Sequence, residues 1–239
     1  MRRFGTGYAG FYYPTELPGL NSESIIYCVG AGEDISHDVE IANKLGAHCH
    51  VFDPTPRAIQ HVEMVKQVFE GVEKPENNKR YGGGDPNYWS GLLEYRIEPE
   101  NLHIHPWGIH TTTNPAVKFY LPTNIEYVSC SVVEGMKGAN FIEVNVKTLK
   151  ETMKLLGHSR IDLLKLDIEG CECDVIDQML DENILPKYLS VDFDLGWTGE
   201  SIRNLPRCKE TIARLLQKGY SVLRENGPEW SFHLTDQTS

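Results

Sequence analysis

The sequence predicts an α/β fold built on a mostly parallel sheet of seven strands that closes with an antiparallel hairpin. Three observations predict it. Short apolar runs, Ile25-Ile-Tyr-Cys-Val29 first among them, suit strands buried on both faces. Segments with apolar residues at helical spacing alternate with these runs, which places helices on both sides of a parallel sheet. Finally, Tyr220-Ser-Val-Leu223 and Trp230-Ser-Phe-His-Leu234 flank Asn226-Gly227-Pro228, the pattern of two strands joined by a turn.

The elements follow in order. Residues 1–23 are rich in Gly, Tyr and Pro, lack a helical period, and read as an ordered arm ahead of a single domain at 24–239. After the first strand comes Gly30-Ala-Gly32. Ser36 suits a helix N-cap, Val39, Ile41, Ala42 and Leu45 follow at helical spacing, and Gly46 suits the stop. His50-Val-Phe-Asp53 is a second strand ending in an acid, and Pro56 opens a second helix. Residues 71–101 show no clear period and read as a long inserted loop, either a functional lid or a flexible insertion. Leu102-His-Ile-His105 is the third strand. Residues 117–121 and 141–146 are extra strands, and a helix is expected near 148–156. Ile161-Asp-Leu-Leu-Lys-Leu-Asp-Ile168 is the next strand, followed by a helix near 172–182, a strand at 188–193 and a helix near 201–218.

Composition narrows the function. The chain has 239 residues and a formal net charge of -11. Such an acidic balance supplies no field to attract nucleic-acid phosphates or an anionic membrane, so neither is an expected partner. No apolar stretch approaches the ~20 residues of a membrane span. Arg2 and Arg3 are not followed by the apolar run of a signal peptide. The six cysteines, several of them inside apolar strands, are therefore expected to be reduced, buried thiols of a cytoplasmic protein.

Two motifs carry chemistry. In Val29-Gly-Ala-Gly-Glu-Asp34 the glycines allow a tight turn and close approach of a ligand to the backbone. The helix that follows offers unpaired N–H groups. Asp53, at the end of the next strand, is placed to hydrogen-bond ribose hydroxyls. A dinucleotide fingerprint would put a third glycine where Ile35 stands, and Glu33 and Asp34 would repel a pyrophosphate. They tolerate a cationic ligand end, which favours S-adenosylmethionine over NAD.

The second motif is Lys165-Leu-Asp-Ile-Glu-Gly170. Lys165, Asp167 and Glu169 share one strand face, and the ligand crevice of an open α/β sheet lies beyond the carboxyl ends of its strands. Asp192 and Asp194 of the neighbouring strand approach the same edge. Such a set can act as a general base toward a hydroxyl, hold polyol hydroxyls or bind a divalent cation. Alternatively, these acids cap the next helix or pair with Lys165. The His48/His50 and His103/His105 pairs read as structural, with metal ligation as the alternative.

Together these residues resemble the FkbM-type methyltransferases. The carriers are Val29-Gly-Ala-Gly-Glu-Asp-Ile-Ser36, Val51-Phe-Asp-Pro-Thr-Pro56, Trp107-Gly108 and Lys165-Leu-Asp-Ile-Glu-Gly-Cys-Glu172. Gly5-Thr-Gly-Tyr-Ala-Gly-Phe-Tyr-Tyr-Pro14 is similar to an aromatic, glycine-rich leader of some members. Asp53 and Asp192 stand where many members carry Glu, and the 71–101 insertion is not part of the common pattern. The resemblance implies a Rossmann-like class I methyltransferase fold, S-adenosylmethionine as cofactor, and methyl transfer to a hydroxyl of a small molecule or carbohydrate. The expected cofactor contacts are Gly30, Gly32, Glu33, Asp34, Ser36, Asp53, Trp107, Gly108 and Asp167. The expected catalytic residues are Asp167, Glu169 and Asp194, with a divalent cation between Asp167 and Asp194 as an option. A non-catalytic Rossmann-like binding module and an NAD-dependent oxidoreductase are the rival readings.

Overall fold

The computed structural model describes residues 1–75, 81–124, 130–132, 138–193 and 202–235. Its centre is a seven-stranded sheet. In chain order the strands are β3 (Ile26–Val29), β4 (Cys49–Phe52), β5 (Leu102–His105), β9 (Leu163–Leu166), β10 (Tyr188–Asp192), β11 (Tyr220–Asn226) and β12 (Glu229–Leu234). Across the sheet their order is β11-β12-β10-β9-β3-β4-β5. The pairings β10/β9, β9/β3, β3/β4 and β4/β5 are parallel, and β12 lies antiparallel to both β10 and β11. This is the mostly parallel sheet with a closing hairpin that the sequence predicts.

Helices cover both faces. They are α1 (Ser36–Leu45), α2 (Pro56–Glu70), α3 (Tyr88–Glu94), α4 (Leu149–Leu156), α5 (Glu172–Asp181) and α6 (Pro206–Gln217). The period of two along β3 divides the core. Ile26 and Cys28 join a cluster with Val39 of α1 and Val62 and Val65 of α2, whereas Tyr27 and Val29 join one with Val175 and Ile176 of α5 and Leu215 of α6. Among the described residues no helix is long and apolar enough to cross a membrane. None of the six cysteines forms a disulfide.

Several elements differ from expectation for physical reasons. The arm is a hairpin of β1 (Arg2–Phe4) and β2 (Phe11–Tyr13), and Phe4, Phe11 and Tyr13 are buried in the main core. The insertion holds α3, whose two buried residues, Tyr88 and Leu92, lie one turn apart in a seven-residue helix too short to show a period. Ser36 is the first residue of α1, not its cap, and Ile35 occupies the cap position. The helix expected from 201 begins at Pro206, a residue suited to a first turn, after a short 3-10 turn at Ile202–Asn204. The two extra strands form a separate sheet: β7 (Ala116–Tyr120) and β8 (Phe141–Lys147) pair with each other, and β6 (Gly108–Ile109) runs along β8.

Candidate active site

The strand order reverses between β3 and β9, and a crevice opens there at the carboxyl ends. Register brings those ends level: Val29 pairs with Leu166 on one side and Phe52 on the other, so Gly30, Asp53 and Asp167 follow side by side. A cleft opens above them, lined by Gly30, Asp53 and Asp167 together.

Gly30 is required by contact. Its φ is +84°, and a Cβ there would lie 1.8 Å from the Asp167 carbonyl oxygen. Its N–H donates to Phe52 O at 2.9 Å, and Asp167 N donates to Val29 O at 3.0 Å, so the turn is sewn to both neighbours. Asp53, buried, holds the turn from the other side. Its Oδ2 accepts from Ala31 N at 2.9 Å and Gly32 N at 3.1 Å; its Oδ1 accepts from Thr55 N at 2.9 Å and Thr55 Oγ1 at 2.6 Å. A carboxylate offers about four acceptor positions, and these four donors fill them.

Beneath the turn lies a buried polar chain. Lys165 Nζ donates to Gly30 O at 3.0 Å and stands 3.5 Å from Asp38 Oδ1. His37 Nδ1 is 3.0 Å from the same oxygen, and Tyr13 OH is 3.1 Å from His37 Nε2. Burial disfavours the Lys165 ammonium, but the carboxylates of Asp38 and Asp167 outweigh it and raise its pKa. Cys28, His37 and Asp38 bring ligand atoms within 4.8 Å of one another, a geometry open to a metal ion. The Lys165 ammonium already supplies the compensating positive charge, so a metal would meet electrostatic repulsion there.

The remaining expected contacts divide. Gly30, Gly32, Glu33, Asp34, Asp53, Gly108, Asp167 and Glu169 line the cleft, and so does Asp192. Ser36 and Trp107 do not. Asp34 and Ser36 are engaged by the arm: Thr6 Oγ1 donates to Asp34 Oδ2 at 2.5 Å, Thr6 N donates to Ser36 Oγ at 2.8 Å, and Ser36 Oγ donates to Asp34 Oδ1 at 2.6 Å. Burial raises the Asp34 pKa despite these donors. Glu33 pairs with Arg57 at 2.8 Å. The Trp107 ring turns toward α4, where Nε1 donates to Thr152 Oγ1 at 3.2 Å. Phe119 of β7 takes the place beside Gly108 instead; a Cβ on Gly108 would be 3.5 Å from its ring and 3.4 Å from Pro54. Asp194 lies outside the described residues.

The acidic edge is distinct from the turn. Glu169 has φ +59°, a left-handed conformation that costs a non-glycine residue roughly 1 kcal/mol. Gly170 N donates to Glu172 Oε1 at 3.0 Å, as does Ile168 N at 3.2 Å, so buried Glu172 braces the turn that carries Glu169. Burial raises Glu172 to about 7. Burial, reinforced by Asp167, Glu229, Glu172 and Glu169, pushes Asp192 up to about 9. At neutral pH this set therefore holds a proton that isolated carboxyls would release.

Tyr8, Ala9, Ile109, Phe119 and Cys130 also line the cleft and were not in the expected set of site residues. Phe119 could have been found only through the β7–β8 register, which sets it opposite Ile142. The arm's aromatic run did carry a signal: Tyr8, Phe11 and Tyr12 suit stacking on a sugar or ring or packing on the sheet edge, and of the three Tyr8 lines the cleft. The histidines form cross-strand pairs, His48 Nδ1 to His103 Nε2 and His50 Nδ1 to His105 Nε2, both 3.0 Å, on the outer part of the sheet.

The family profile described as "Methyltransferase FkbM domain" matches residues 25–222. No curated protein sequence matches the chain. Among solved structures, the chain is similar to a Methanococcus jannaschii fibrillarin pre-rRNA processing protein, with 13% identity and a TM-score of 0.43 over 94% of this chain and 69% of that one. It is also similar to an rRNA methylase from Streptococcus thermophilus, with 11% identity and a TM-score of 0.41 over 92% of each chain.

Proposed function

The chain belongs to the FkbM methyltransferase domain family, which implies S-adenosylmethionine as methyl donor, and on that premise we propose that it methylates a hydroxyl oxygen of a small molecule or carbohydrate. The observation that carries this reading is the shared cleft. The glycine turn fits a single-nucleoside cofactor, and Asp167, Glu169 and Asp192 face the same space from the ends of β9 and β10.

When bound, S-adenosylmethionine supplies a methyl group already activated by the sulfonium charge. The chain's work is then positioning and proton handling. Gly30 and Gly32 let the cofactor lie against the backbone. Asp53 fixes the turn and would meet the ribose by yielding the acceptor position now held by the Thr55 hydroxyl. Gly108, Pro54 and Phe119 would border the base. Asp167 orients the acceptor hydroxyl and takes its proton, with Asp192 and Glu169 adjusting the proton affinity of the set. A divalent cation, if bound, would take Asp167 as a ligand and would lower the pKa of the hydroxyl. The acidic lining and the net charge of -11 suit a neutral polyol or a cationic acceptor better than a phosphorylated one.

The test is transfer of labelled methyl from S-adenosylmethionine across a panel of sugars, polyols and phenols, with amines as controls. Label on a hydroxyl, lost in Asp167→Asn, is expected. Transfer to nitrogen or carbon would overturn the oxygen assignment, and cofactor binding without turnover on any acceptor would favour a binding module.

A further inference from the structure

Two of the side chains expected to contact the cofactor, Asp34 and Ser36, are held by Thr6 of the N-terminal arm. We propose that the tip of this arm forms a wall of the cofactor cleft, with the Tyr8 ring packing on the methionine end of S-adenosylmethionine. The proposal rests on the methyltransferase reading.

The arm is built in place. Its hairpin buries Phe4, Phe11 and Tyr13 in the main core. The Arg3 guanidinium makes a two-pronged pair with Glu229 at 2.8 and 2.9 Å, Arg2 pairs with Glu40, and Gly5 N donates to Glu40 Oε2 at 2.7 Å. These ties reach both β12 and α1, so the hairpin is anchored at two separate elements. Bidentate and buried contacts of this kind hold a segment in one arrangement before ligand arrives.

The tip is otherwise. Tyr8 N and Ala9 N both donate to Thr6 Oγ1 at 3.2 Å, which curls the chain over the hydroxyl that also reaches Asp34. Tyr8 lines the cleft yet is 57% exposed. One side of its ring is seated on Gly83, where a Cβ would lie 2.4 Å from Tyr8 Cγ. The insertion that carries Gly83 is itself fixed to the glycine turn, because Gly82 N donates to Glu33 O at 3.0 Å. An aromatic ring that packs on main chain and lines a cleft is a packing surface for a ligand.

Position decides which end of the ligand it meets. The adenosine end is assigned to Asp53, Gly108 and Phe119 over β4 and β5. Tyr8 is tied through its N–H to Thr6, which holds Asp34 and Ser36 at the start of α1. The amino-acid end carries an ammonium, and a cation suits an aromatic face.

The test is calorimetric titration of the full chain with two probes, S-adenosylhomocysteine and 5′-methylthioadenosine, which share the adenosine and differ in the amino-acid end. Tyr8→Ala is expected to weaken S-adenosylhomocysteine by roughly 3- to 10-fold, the worth of one aromatic contact, and to leave 5′-methylthioadenosine unchanged. Tyr8→Phe is expected to keep both affinities. Thr6→Val, which frees the tip without touching the ring, is expected to repeat the selective loss. Equal loss for both probes, or none, overturns the proposal. A native chain that binds neither probe contradicts the cofactor reading and this wall together, whereas native binding with an unaffected Tyr8→Ala contradicts the wall alone.

Discussion

The carboxylate of Asp53 accepts the backbone N–H of Gly32 at 3.1 Å, and the same oxygen accepts that of Ala31 at 2.9 Å. The acid at the end of β4 thus shapes the turn at the end of β3, as well as facing the cleft. Asp53→Ala removes the acceptor from both N–H groups, and one unsatisfied buried donor costs about 1–3 kcal/mol. The expected result is a lowered denaturation midpoint together with loss of S-adenosylmethionine binding. Asp53→Asn keeps one acceptor oxygen and is expected to fall between. Calorimetry and urea unfolding on the same samples check this; an alanine variant of native stability and affinity would remove Asp53 from both roles.

Gly30→Ala tests the closeness of the turn to β9. The new Cβ would lie 1.8 Å from Asp167 O, at a backbone φ of +84°. Either the turn or the Asp167 strand end must move. A loss of more than about 2 kcal/mol is expected, with no measurable cofactor binding. By contrast, Gly71→Ala has open space around the new Cβ and only its φ of +77° to contend with, so a smaller loss confined to stability is expected.

Asp192 couples stability to function. Its carboxyl is held at about 9, against 3.8 for an ordinary aspartate. Between those values the folded chain keeps a proton that the unfolded chain has released, so this residue's contribution to stability falls as pH rises. Asp192→Asn removes that penalty. It is expected to gain on the order of 1–3 kcal/mol near pH 8, to flatten the pH dependence of unfolding above pH 4, and to slow methyl transfer. Unfolding curves from pH 5 to 9 decide it; a variant less stable than the native chain throughout would show that Asp192 is not strained by its neighbours.

The histidine strip predicts acid sensitivity. Burial, then the neighbouring imidazoles, lowers His50 to about 3 and His105 to about 4, from 6.5. The unfolded chain therefore takes up protons first. The stability these residues contribute is intact above pH 6.5 and is lost as pH falls below it toward 4. Replacing His50 by Gln is expected to flatten this part of the profile. An unchanged slope between pH 6.5 and 4.5 would exclude the strip as its source.

The sheet and the turn were legible because their signals are local. Val29-Gly-Ala-Gly-Glu-Asp34, Asp53 and Asp167 each sit at a strand end, and parallel register brings such ends together with no further information. Contacts that depend on distant pairing were not legible. Thr6 reaches Asp34 across 28 residues, so nothing around Asp34 announced that its carboxylate was engaged. Phe119 borders Gly108 only because β7 folds back on β8 as a separate sheet, which left Trp107 free to turn toward Thr152. Tyr88 was hidden for another reason. Its hydroxyl accepts from Ile35 N at 3.2 Å and lies 2.7 Å from His61 Nε2, so the insertion packs on the start of α1, yet α3 spans only seven residues.

A crystal structure of the chain grown with S-adenosylhomocysteine decides whether this cleft holds the methyl donor. Density is expected across Gly30–Gly32, with the ribose at Asp53, the base between Gly108 and Phe119, and the sulfur facing Asp167. Ligand bound elsewhere, or NAD occupying this turn in a chain that does not take up S-adenosylhomocysteine, would contradict it.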